Sequence, residues 1–345
     1  MSHKTMIRLA LTLGLFLLIL PVMAAGEEPV VTAPDASRSN VEGPTFGGKQ
    51  LWTDELIFHG WRIQRQAWTG HHRLLDDEDY RRAWGSFEQC RERLDALKQE
   101  LALPPMRGKV VVALHGLLRS RQSMQGMGDY LHKHGDYTIV NFSYASSRNE
   151  LDQHAHSFAS VMQHLGPEVT EINLVAHSLG NLVIRHYLGD QTNPAEGKTP
   201  DPRIKRIVML APPNNGAEFA RKFADNKLFQ AIWGKTGLEL ANEWETLEQR
   251  LAVPACEFAV IAGGKGESSG SNPLLTGDDD FVVSVEETRL PGACDFTMLP
   301  VLHGSIMDDK TVRECALRFF CHGYLIAADQ RQPIPRDPAD SRPRE

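Results

Sequence analysis

The sequence is poor in several features that define whole classes of protein. Its five cysteines in 345 residues are too few for a scaffold built on disulfides. It has no long run of lysine and arginine and a net charge of −7, which argues against a nucleic-acid-binding protein. Beyond its N-terminal segment no apolar run approaches the roughly 18 residues that cross a bilayer, which excludes a multi-span membrane protein. With 41% hydrophobic residues the chain can nevertheless bury a substantial core.

The long apolar run that is present lies at the N-terminus. Two cations, Lys4 and Arg8, precede the uncharged segment Leu9–Leu20, and small residues follow up to Ala25. This order is typical of a secretory signal, so residues 1–25 predict an exported protein, periplasmic or secreted. The uncharged stretch is also just long enough to remain as an uncleaved membrane anchor, and the sequence leaves both outcomes open.

Segments rich in proline flank a single folded body. Residues 26–50 carry three prolines and a Gly-Gly pair, which predicts a linker. Residues 329–345 carry four prolines among charges, which predicts a disordered tail. The body between them, residues 51–328, has the size of one α/β domain.

Within the body, short apolar runs alternate with helical stretches. The runs are continuously apolar, which predicts strands buried on both faces, and their alternation with helices predicts a doubly wound, mostly parallel sheet. The alternating segment Trp61–Gln64 predicts an antiparallel edge strand, and Ser86–Leu101 predicts a helix before the main sheet. The predicted strands are Lys109–Leu114, Tyr137–Phe142, Ile172–Ala176, Arg206–Ala211, Cys256–Ala262 and Asp295–Val301. The predicted helices are Ser123–His134, Asn149–Leu165, Leu179–Gly189 and Lys310–Gly323.

The third predicted strand ends in the motif AHSLG at residues 176–180. A sharp strand-to-helix turn lifts a serine clear of the sheet, and its strained backbone requires small residues two positions before and after. A second match, GESSG at residues 266–270, is followed by glycine, asparagine and proline, so no helix can begin behind it. We therefore predict Ser178 as a nucleophile and interpret Ser268 as part of a flexible loop.

A nucleophilic serine also needs donors for its oxyanion. The first strong strand ends in HGLL at residues 115–118, and backbone amides of such a loop commonly face the reacting carbonyl. The second donor in such a site is the amide that follows the nucleophile. The backbone amides of Leu117 and Leu179 are therefore the predicted oxyanion donors.

The sequence contains fourteen histidines, and we choose the candidate base for Ser178 by its position relative to the predicted strands. His303 follows the last strand and precedes a helix, so it lies past the carboxyl end of a strand, where reactive groups collect. His115 is interpreted as bracing its loop, and the side chain of His177 is predicted to point away from the nucleophile. His71 and His72 lack the companion spacing of a metal site. The histidines expected on the surface or in packing, within helices, are His132, His134, His154, His156, His164 and His186.

The acid of such a site follows the serine and precedes the histidine in the chain. The segment GDDDFVV at residues 277–283 supplies Asp278, Asp279 and Asp280. Asp280 directly precedes the apolar run and is predicted to be half-buried, as an orienting carboxylate must be. The alternatives are one of the other two acids, or an acidic loop or Ca²⁺ site without a catalytic role.

Together these motifs resemble an α/β hydrolase of the bacterial lipase and esterase kind over residues 109–320. The motifs that carry the resemblance are HGL at 115–117, AHSLG at 176–180, APPNNGAE at 211–218, DDDFVV at 278–283 and LHGSIM at 302–307. The resemblance implies a triad of Ser178, Asp280 and His303, with no metal or organic cofactor. Phe281 departs from the pattern, because lipases of this kind usually carry glycine after the acid.

An excursion at residues 214–254 separates the fourth and fifth predicted strands. The aromatic pairs Phe219/Phe223 and Phe229/Trp233 have i,i+4 spacing, which predicts amphipathic helices. In a lipase-like fold they form either a lid whose apolar side meets an acyl chain or a cap packed against the domain.

The predicted function is hydrolysis of carboxylic esters through an acyl-enzyme. The expected partner is a small-molecule or lipid ester, with no nucleic acid and with membrane contact through the N-terminal segment or the lid. An acyltransferase or thioesterase would use the same residues and differ in its acceptor. A non-catalytic protein on this fold would normally have lost a triad member.

Cys256 and Cys294 lie at the start of the last two predicted strands. If these strands are adjacent and parallel, an exported protein could form a disulfide there.

Overall fold

The computed structural model describes residues 43–44, 50–192, 198–216, 218–223 and 225–336, and within them the side chains except those of 43–44 and 227–232. The predicted leader and most of the predicted linker lie outside these residues. Among the helices in these ranges, none has the length and apolar content of a bilayer span.

The N-terminal part of the body forms an antiparallel sheet of its own. Its five strands are β1 (Gly43–Pro44), β2 (Trp52–Phe58), β3 (Trp61–Gln66), β4 (His72–Leu75) and β5 (Tyr80–Gly85). Helix α1 (Phe87–Glu100) follows and buries Leu94 and Leu97 with the apolar residues of this sheet. The predicted antiparallel strand at Trp61–Gln64 is present as β3, but its predicted edge position is wrong. Strand β3 is paired on both sides, by β2 and β4, and does not join the central sheet.

Six parallel strands form the central sheet, as predicted. They are β6 (Gly108–Leu114), β7 (Thr138–Phe142), β8 (Val169–His177), β9 (Ile204–Leu210), β10 (Glu257–Gly263) and β11 (Asp295–Leu299). Their spatial order is β11-β10-β9-β8-β6-β7. The chain therefore reverses its direction across the sheet at β6, which has β7 on one side and β8 on the other. The carboxyl ends of β6 and β8 meet at this switch point, where ligands of such sheets bind.

Helices cover both faces of the central sheet. They are α2 (Gln125–Gly135), α3 (Leu151–Gln163), α4 (Leu179–Asp190), α5 (Glu218–Lys222), α6 (Lys227–Asn242), α7 (Trp244–Glu248), α8 (Val285–Thr288) and α9 (Lys310–His322). Alternate residues of β6 point to opposite faces: Val110 and Val112 pack with α3 and α4, whereas Val111 and Ala113 pack with α2 and α9. Burial on both faces explains the continuously apolar strands.

Helices α5, α6 and α7 lie in the predicted excursion at residues 214–254. The ring of Phe219 lies 4.9 Å from that of Phe223 and 5.6 Å from that of Trp233. Helix α6 is kinked at Gly234, whose φ is 64°. A Cβ there would overlap the carbonyl oxygen of Ser147, so this glycine permits the close approach of the excursion to the loop after β7.

The folded body extends further than its predicted end at residue 328. Ile334 accepts a hydrogen bond from the N–H of Gly292 at 2.8 Å and donates to the carbonyl of Ala293 at 2.9 Å. Its side chain packs against the core on the α3 and α4 face. The first part of the predicted disordered tail, up to Arg336, is therefore ordered, because backbone pairing and apolar burial hold it.

All five cysteines are free thiols. The N–H of Cys294 donates to the carbonyl of Phe258 at 2.8 Å, so the starts of β10 and β11 are adjacent, but no disulfide joins Cys256 to Cys294. Burial raises the pKa of the Cys256 thiol to about 11, which keeps the reactive thiolate scarce.

Candidate active site

Ser178 occupies the sharp turn between β8 and α4. Its backbone has φ 51° and ψ −120°, a conformation that non-glycine residues rarely adopt. A Cβ at Gly180 would lie 2.9 Å from both the carbonyl oxygen of His115 and the Cβ of Leu114, so a larger residue cannot fit without a shift. The small residue of the motif is thus required by the contact between α4 and the end of β6. Ser268, by contrast, lies in an irregular loop with no helix behind it.

The structure brings Ser178, His303 and Asp280 into one hydrogen-bonded chain. Nε2 of His303 lies 3.0 Å from Oγ of Ser178, and Nδ1 lies 2.7 Å from Oδ2 of Asp280. Because a carboxylate only accepts, Nδ1 donates its hydrogen to Asp280, which leaves the Nε2 lone pair facing the serine hydroxyl. This is the tautomer in which the imidazole can accept the serine proton.

Asp280 is only 1% exposed and is held in place by backbone amides. Its Oδ1 accepts hydrogen bonds from the N–H groups of Val282 at 3.0 Å and Val283 at 2.8 Å. Its carbonyl accepts from the N–H of His303 at 2.9 Å, which ties the acid loop to the histidine loop. The carboxylate therefore has one oxygen fixed by the loop and the other directed at the imidazole.

The two preceding aspartates have different partners. Asp278 accepts the N–H groups of Lys265 and Gly266, each at 2.8 Å. Oδ1 of Asp279 accepts the N–H groups of Phe281 at 2.7 Å and of Asn272 at 2.9 Å. Asp279 thus closes turns in its own loop, whereas Asp278 fastens this loop to the residues that follow β10.

The loop after β6 is held in an unusual conformation. Leu118 has φ 59°, and its N–H donates to Oγ of Ser146 at 3.0 Å. Within the described residues, the amides of Leu117 and Leu179, the predicted oxyanion donors, hydrogen-bond to no other residue. A Cβ at Gly116 would lie 2.7 Å from Nδ1 of His177, so this glycine allows the loop to lie directly against the serine turn.

His115 braces this loop. Its ring stacks on Tyr144 with centroids 4.3 Å apart, and Nδ1 lies 2.8 Å from the carbonyl oxygen of Gly116. Nε2 accepts the N–H of Tyr144 at 3.3 Å, so Nδ1 carries the hydrogen and donates to Gly116. Burial lowers the pKa of His115 to about 4, which keeps the ring neutral in this role.

His177 is buried beneath the catalytic histidine candidate. Its ring centroid lies 4.7 Å from that of His303. Burial, and secondly the charge of a protonated His303, lower the pKa of His177 well below its ordinary value. A neutral His177 means that His303 can take up a proton without a second positive charge beside it.

The sequence analysis did not identify three residues that support the site. Tyr144 and Ser146 come from the loop after β7, and Tyr144 also donates its hydroxyl to the carbonyl of His115 at 2.6 Å. Asn181 is fully buried and donates Nδ2 to the carbonyl oxygens of Ser178 at 3.0 Å and Leu210 at 3.3 Å. The signal that could have led to Tyr144 and Ser146 is their position past the carboxyl end of a strand next to β6.

Comparisons with known proteins add the following similarities. A family model described as a domain of unknown function (DUF7379) matches residues 75–243. No curated protein matches the chain. The product of the gene lin2722 from Listeria innocua is 18% identical, with 67% of this chain and 99% of that chain covered and a TM-score of 0.43. The mature lipase BlEst2 from Bacillus licheniformis is 19% identical, with 59% and 88% covered and a TM-score of 0.42. Est1E from Butyrivibrio proteoclasticus is 13% identical, with 63% and 88% covered and a TM-score of 0.41.

The classification of the chain follows from its own architecture. A parallel sheet carries helices on both faces, the serine lies at a strained strand-to-helix turn, and the acid and histidine follow later strands in the order Ser, Asp, His. The chain therefore has the α/β-hydrolase fold.

Proposed function

We propose that the protein is a serine hydrolase that cleaves carboxylic esters through an acyl-enzyme. The observation that carries this proposal is the chain of hydrogen bonds from Ser178 through His303 to Asp280, with 3.0 Å and 2.7 Å between the partner atoms. The serine lies at the sheet's switch point, beside a loop that offers backbone amides. These are the parts that acyl transfer needs: a nucleophile, a base, an orienting acid and oxyanion donors.

The reaction begins when Nε2 of His303 takes the hydroxyl proton as Oγ of Ser178 bonds to the ester carbonyl carbon. The amides of Leu117 and Leu179 donate hydrogen bonds to the oxyanion of the tetrahedral intermediate. Protonated His303 then gives its proton to the leaving alcohol, and an acyl-Ser178 ester remains. A water molecule, deprotonated by His303, attacks this ester. His303 then returns the proton to Oγ of Ser178 as the acyl–oxygen bond breaks and the acid leaves. Asp280 holds the imidazole and stabilises its protonated form throughout.

Two residues that contact His303 account for its ability to take up and release a proton. Asp280 supplies a buried negative charge directly at Nδ1 of His303. His177, whose ring lies beside that of His303, stays neutral because burial lowers its pKa. The imidazolium therefore meets one opposite charge and no like charge from these two residues, which favours its formation in the transition state.

Replacement of the nucleophile tests this proposal. We expect Ser178→Ala to abolish labelling by a fluorophosphonate and to lower the hydrolysis of p-nitrophenyl esters by several powers of ten. Ser268→Ala, a serine in a similar sequence motif, should keep both activities. Labelling that survives in Ser178→Ala would overturn the assignment.

The acceptor is tested separately. Ester and thioester substrates, each supplied with and without an added alcohol as acceptor, distinguish a hydrolase from an acyltransferase or thioesterase, because all three share the acyl-enzyme. We expect water to be the main acceptor, with p-nitrophenyl esters of short and long chains as the substrates that separate esterase from lipase activity. Faster transfer to an added alcohol than to water would change the reaction class and leave Ser178 as the nucleophile.

A further inference from the structure

An arginine beside the candidate active site has no role in the proposed reaction. Arg119 lies in the loop after β6, two residues past the predicted oxyanion donor Leu117. Its N–H donates to the carbonyl of Gly116 at 3.2 Å, and a Cβ at Gly116 would lie 3.1 Å from Cβ of Ser178. The backbone of Arg119 is therefore one hydrogen bond away from the residue that packs against the proposed nucleophile.

The side chain of Arg119 reaches across to the loop of the proposed base. Its Nη2 donates to the carbonyl of Gly304, the residue after His303, at 3.1 Å. Its charge is also near enough to contribute, after burial and the charge of His303, to the lowered pKa of His177. The guanidinium is thus held against the residue that follows the base.

This guanidinium has no carboxylate partner among the described residues. Arg119 is exposed, and within these residues its side chain makes one hydrogen bond, to the carbonyl of Gly304. Its own carbonyl accepts Nε2 of Gln50 at 2.6 Å, which anchors the backbone as well. A guanidinium has five N–H donors, so most of them remain available to a ligand. A cation held by neutral groups can bind an anion without first breaking an ion pair.

Exposed apolar side chains border the same site. Leu118 lies in the loop after β6, Phe281 directly follows the proposed acid, and Leu302 directly precedes the proposed base. They are 40%, 38% and 54% exposed. Each loop that carries a part of the candidate site therefore presents an apolar surface to a ligand, and the loop after β6 presents a cation next to it.

This combination of apolar and cationic groups fits an ester that also carries a phosphate. The apolar residues suit a fatty acyl chain, whereas a neutral ester offers no partner to the charge of Arg119. The planar fork of a guanidinium matches the geometry of phosphate oxygens and forms short, charge-assisted hydrogen bonds with them. Both features occur in acylated glycerol phosphates, in which only a glycerol separates the acyl ester from the phosphate.

We propose that Arg119 binds the phosphate of an acylated glycerol phosphate whose acyl ester is cleaved at Ser178. This inference rests on the proposed ester hydrolysis and specifies the substrate class of the same site. Arg119 determines specificity: it attracts the anionic substrate and orients the ester toward the serine, and it exchanges no proton. Because the guanidinium is exposed, salt should screen this attraction.

A matched pair of soluble esters tests the inference. Monooctanoylglycerol and monooctanoylglycerol phosphate carry the same ester, differ only in the phosphate, and are used below their micelle concentrations. We expect kcat/KM to be about 10- to 100-fold higher for the phosphate ester, as hydrogen bonds to a charged group provide. This preference should shrink when NaCl is raised from about 0.05 M to about 0.5 M. Equal values for the two esters, or a higher value for the neutral ester, would overturn the inference and leave the ester hydrolase in place.

Two exposed arginines at opposite ends of β6 provide matched variants. Arg119→Gln keeps a donor for the carbonyl of Gly304 but removes the charge, so the ratio of the two kcat/KM values should fall toward one. Arg119→Lys restores a charge without the fork and should recover part of the preference. Arg107 lies just before β6, and Arg107→Gln should keep the ratio of the unaltered protein. An unchanged ratio in Arg119→Gln would overturn the inference.

Binding without turnover separates this inference from the proposed reaction. In Ser178→Ala, calorimetry should show tighter binding of monooctanoylglycerol phosphate than of monooctanoylglycerol, and the added change Arg119→Gln should remove the difference. Hydrolysis of neither ester by the unaltered protein, together with absent fluorophosphonate labelling, would reject the ester hydrolase. Equal binding of the two esters by Ser178→Ala would instead reject the role of Arg119.

Discussion

Three consecutive aspartates differ in what their carboxylates contact. Oδ2 of Asp280 accepts a hydrogen bond from Nδ1 of His303 at 2.7 Å. Among the described residues, the carboxylates of Asp278 and Asp279 accept hydrogen bonds only from backbone amides. Asp280→Asn keeps the shape of the side chain and can present an amide N–H to Nδ1, which favours the wrong imidazole tautomer. We expect kcat for ester hydrolysis to fall about 10³- to 10⁴-fold.

The neighbouring acids provide the controls for that measurement. Asp278→Asn and Asp279→Asn retain an oxygen for the turn amides and leave the contact between Asp280 and His303 in place. Their kcat should stay within about tenfold of the unaltered protein, with the loss expressed mainly as lower stability of the loop. A deeper loss of kcat in Asp279→Asn than in Asp280→Asn would assign the orienting acid differently.

Phe281, which stands where lipase-like sequences carry glycine, has a backbone conformation that favours glycine. Its φ is 89°, in the left-handed region that favours glycine, and its side chain is 38% exposed. At an ordinary position, alanine is more stable than glycine by roughly 0.5–1 kcal/mol. Here we expect the reverse: Phe281→Gly should be more stable than Phe281→Ala by about 1 kcal/mol, because only glycine avoids the strain. Urea unfolding of the two variants measures this difference, and a more stable alanine variant would contradict it.

Candidate site residues that lie past the ends of strands can be selected from the sequence, whereas contacts between segments that are distant in the sequence cannot. Ser178 and His303 could be selected because each lies a few residues at most past the carboxyl end of a strand, which is a local pattern. The antiparallel sheet could not be predicted in full because it buries polar groups. Asp54 is fully buried, and Arg62 and Gln64 donate to its two oxygens at 2.8 Å and 2.7 Å. A sequence pattern assigns such residues to the surface, because their compensating hydrogen bonds are formed only in the fold.

At the scale of elements, the second half of α6 is fastened to the beginning of α3. The hydroxyl of Thr236 donates to the carbonyl of Asn149 at 2.6 Å and lies 3.2 Å from Nε2 of His154. The carboxylate of Glu239 accepts the N–H of Leu151 at 2.8 Å, which caps the N-terminus of α3. These contacts anchor the excursion at residues 235–242, beyond the kink at Gly234.

Loss of this anchor should loosen the excursion before the rest of the fold. Thr236→Val keeps the shape of the side chain but removes a fully buried hydroxyl, so we expect a loss of about 1–3 kcal/mol and faster hydrogen exchange in α6. Thr192→Val is the control, because Thr192, just after α4, is exposed and, among the described residues, its hydroxyl bonds only to the carbonyl of Leu188. Equal exchange in α6 of both variants would show that the hydroxyl does not hold the excursion.

At the scale of the whole molecule, the antiparallel sheet supports the candidate site. The N–H of Asp54 donates to the carbonyl of Ser143, and the N–H of Ser143 donates to the Asp54 carboxylate, at 2.8 Å and 2.7 Å. Oγ1 of Thr53 accepts the N–H of Ala145 at 3.0 Å. These bonds fix the loop after β7, from which Ser146 holds the predicted oxyanion loop. The N-terminal sheet thus reaches the site through a chain of backbone and side-chain hydrogen bonds.

Three buried histidines make the stability of the whole molecule sensitive to acid. Burial lowers the pKa of His115 to about 4 and that of His154 to about 3, and it lowers that of His177 well below the ordinary 6.5. Below about pH 6.5 the unfolded chain binds protons at these residues while the folded protein does not. Stability therefore falls as the pH falls toward the folded pKa values.

The size of this loss of stability can be predicted for a pH range in which the carboxylates stay ionised. Between about pH 7.5 and about pH 5.5 each such histidine lowers the free energy of unfolding by about 1.4 kcal/mol, so the three together lower it by about 4 kcal/mol. Urea unfolding at both pH values measures the total. His154→Gln, which can still contact the hydroxyl of Thr236, should reduce the loss by about 1.4 kcal/mol because glutamine does not titrate. The same loss in this variant as in the unaltered protein would mean that His154 does not contribute, and that exposed or unfolded-state groups govern the acid sensitivity.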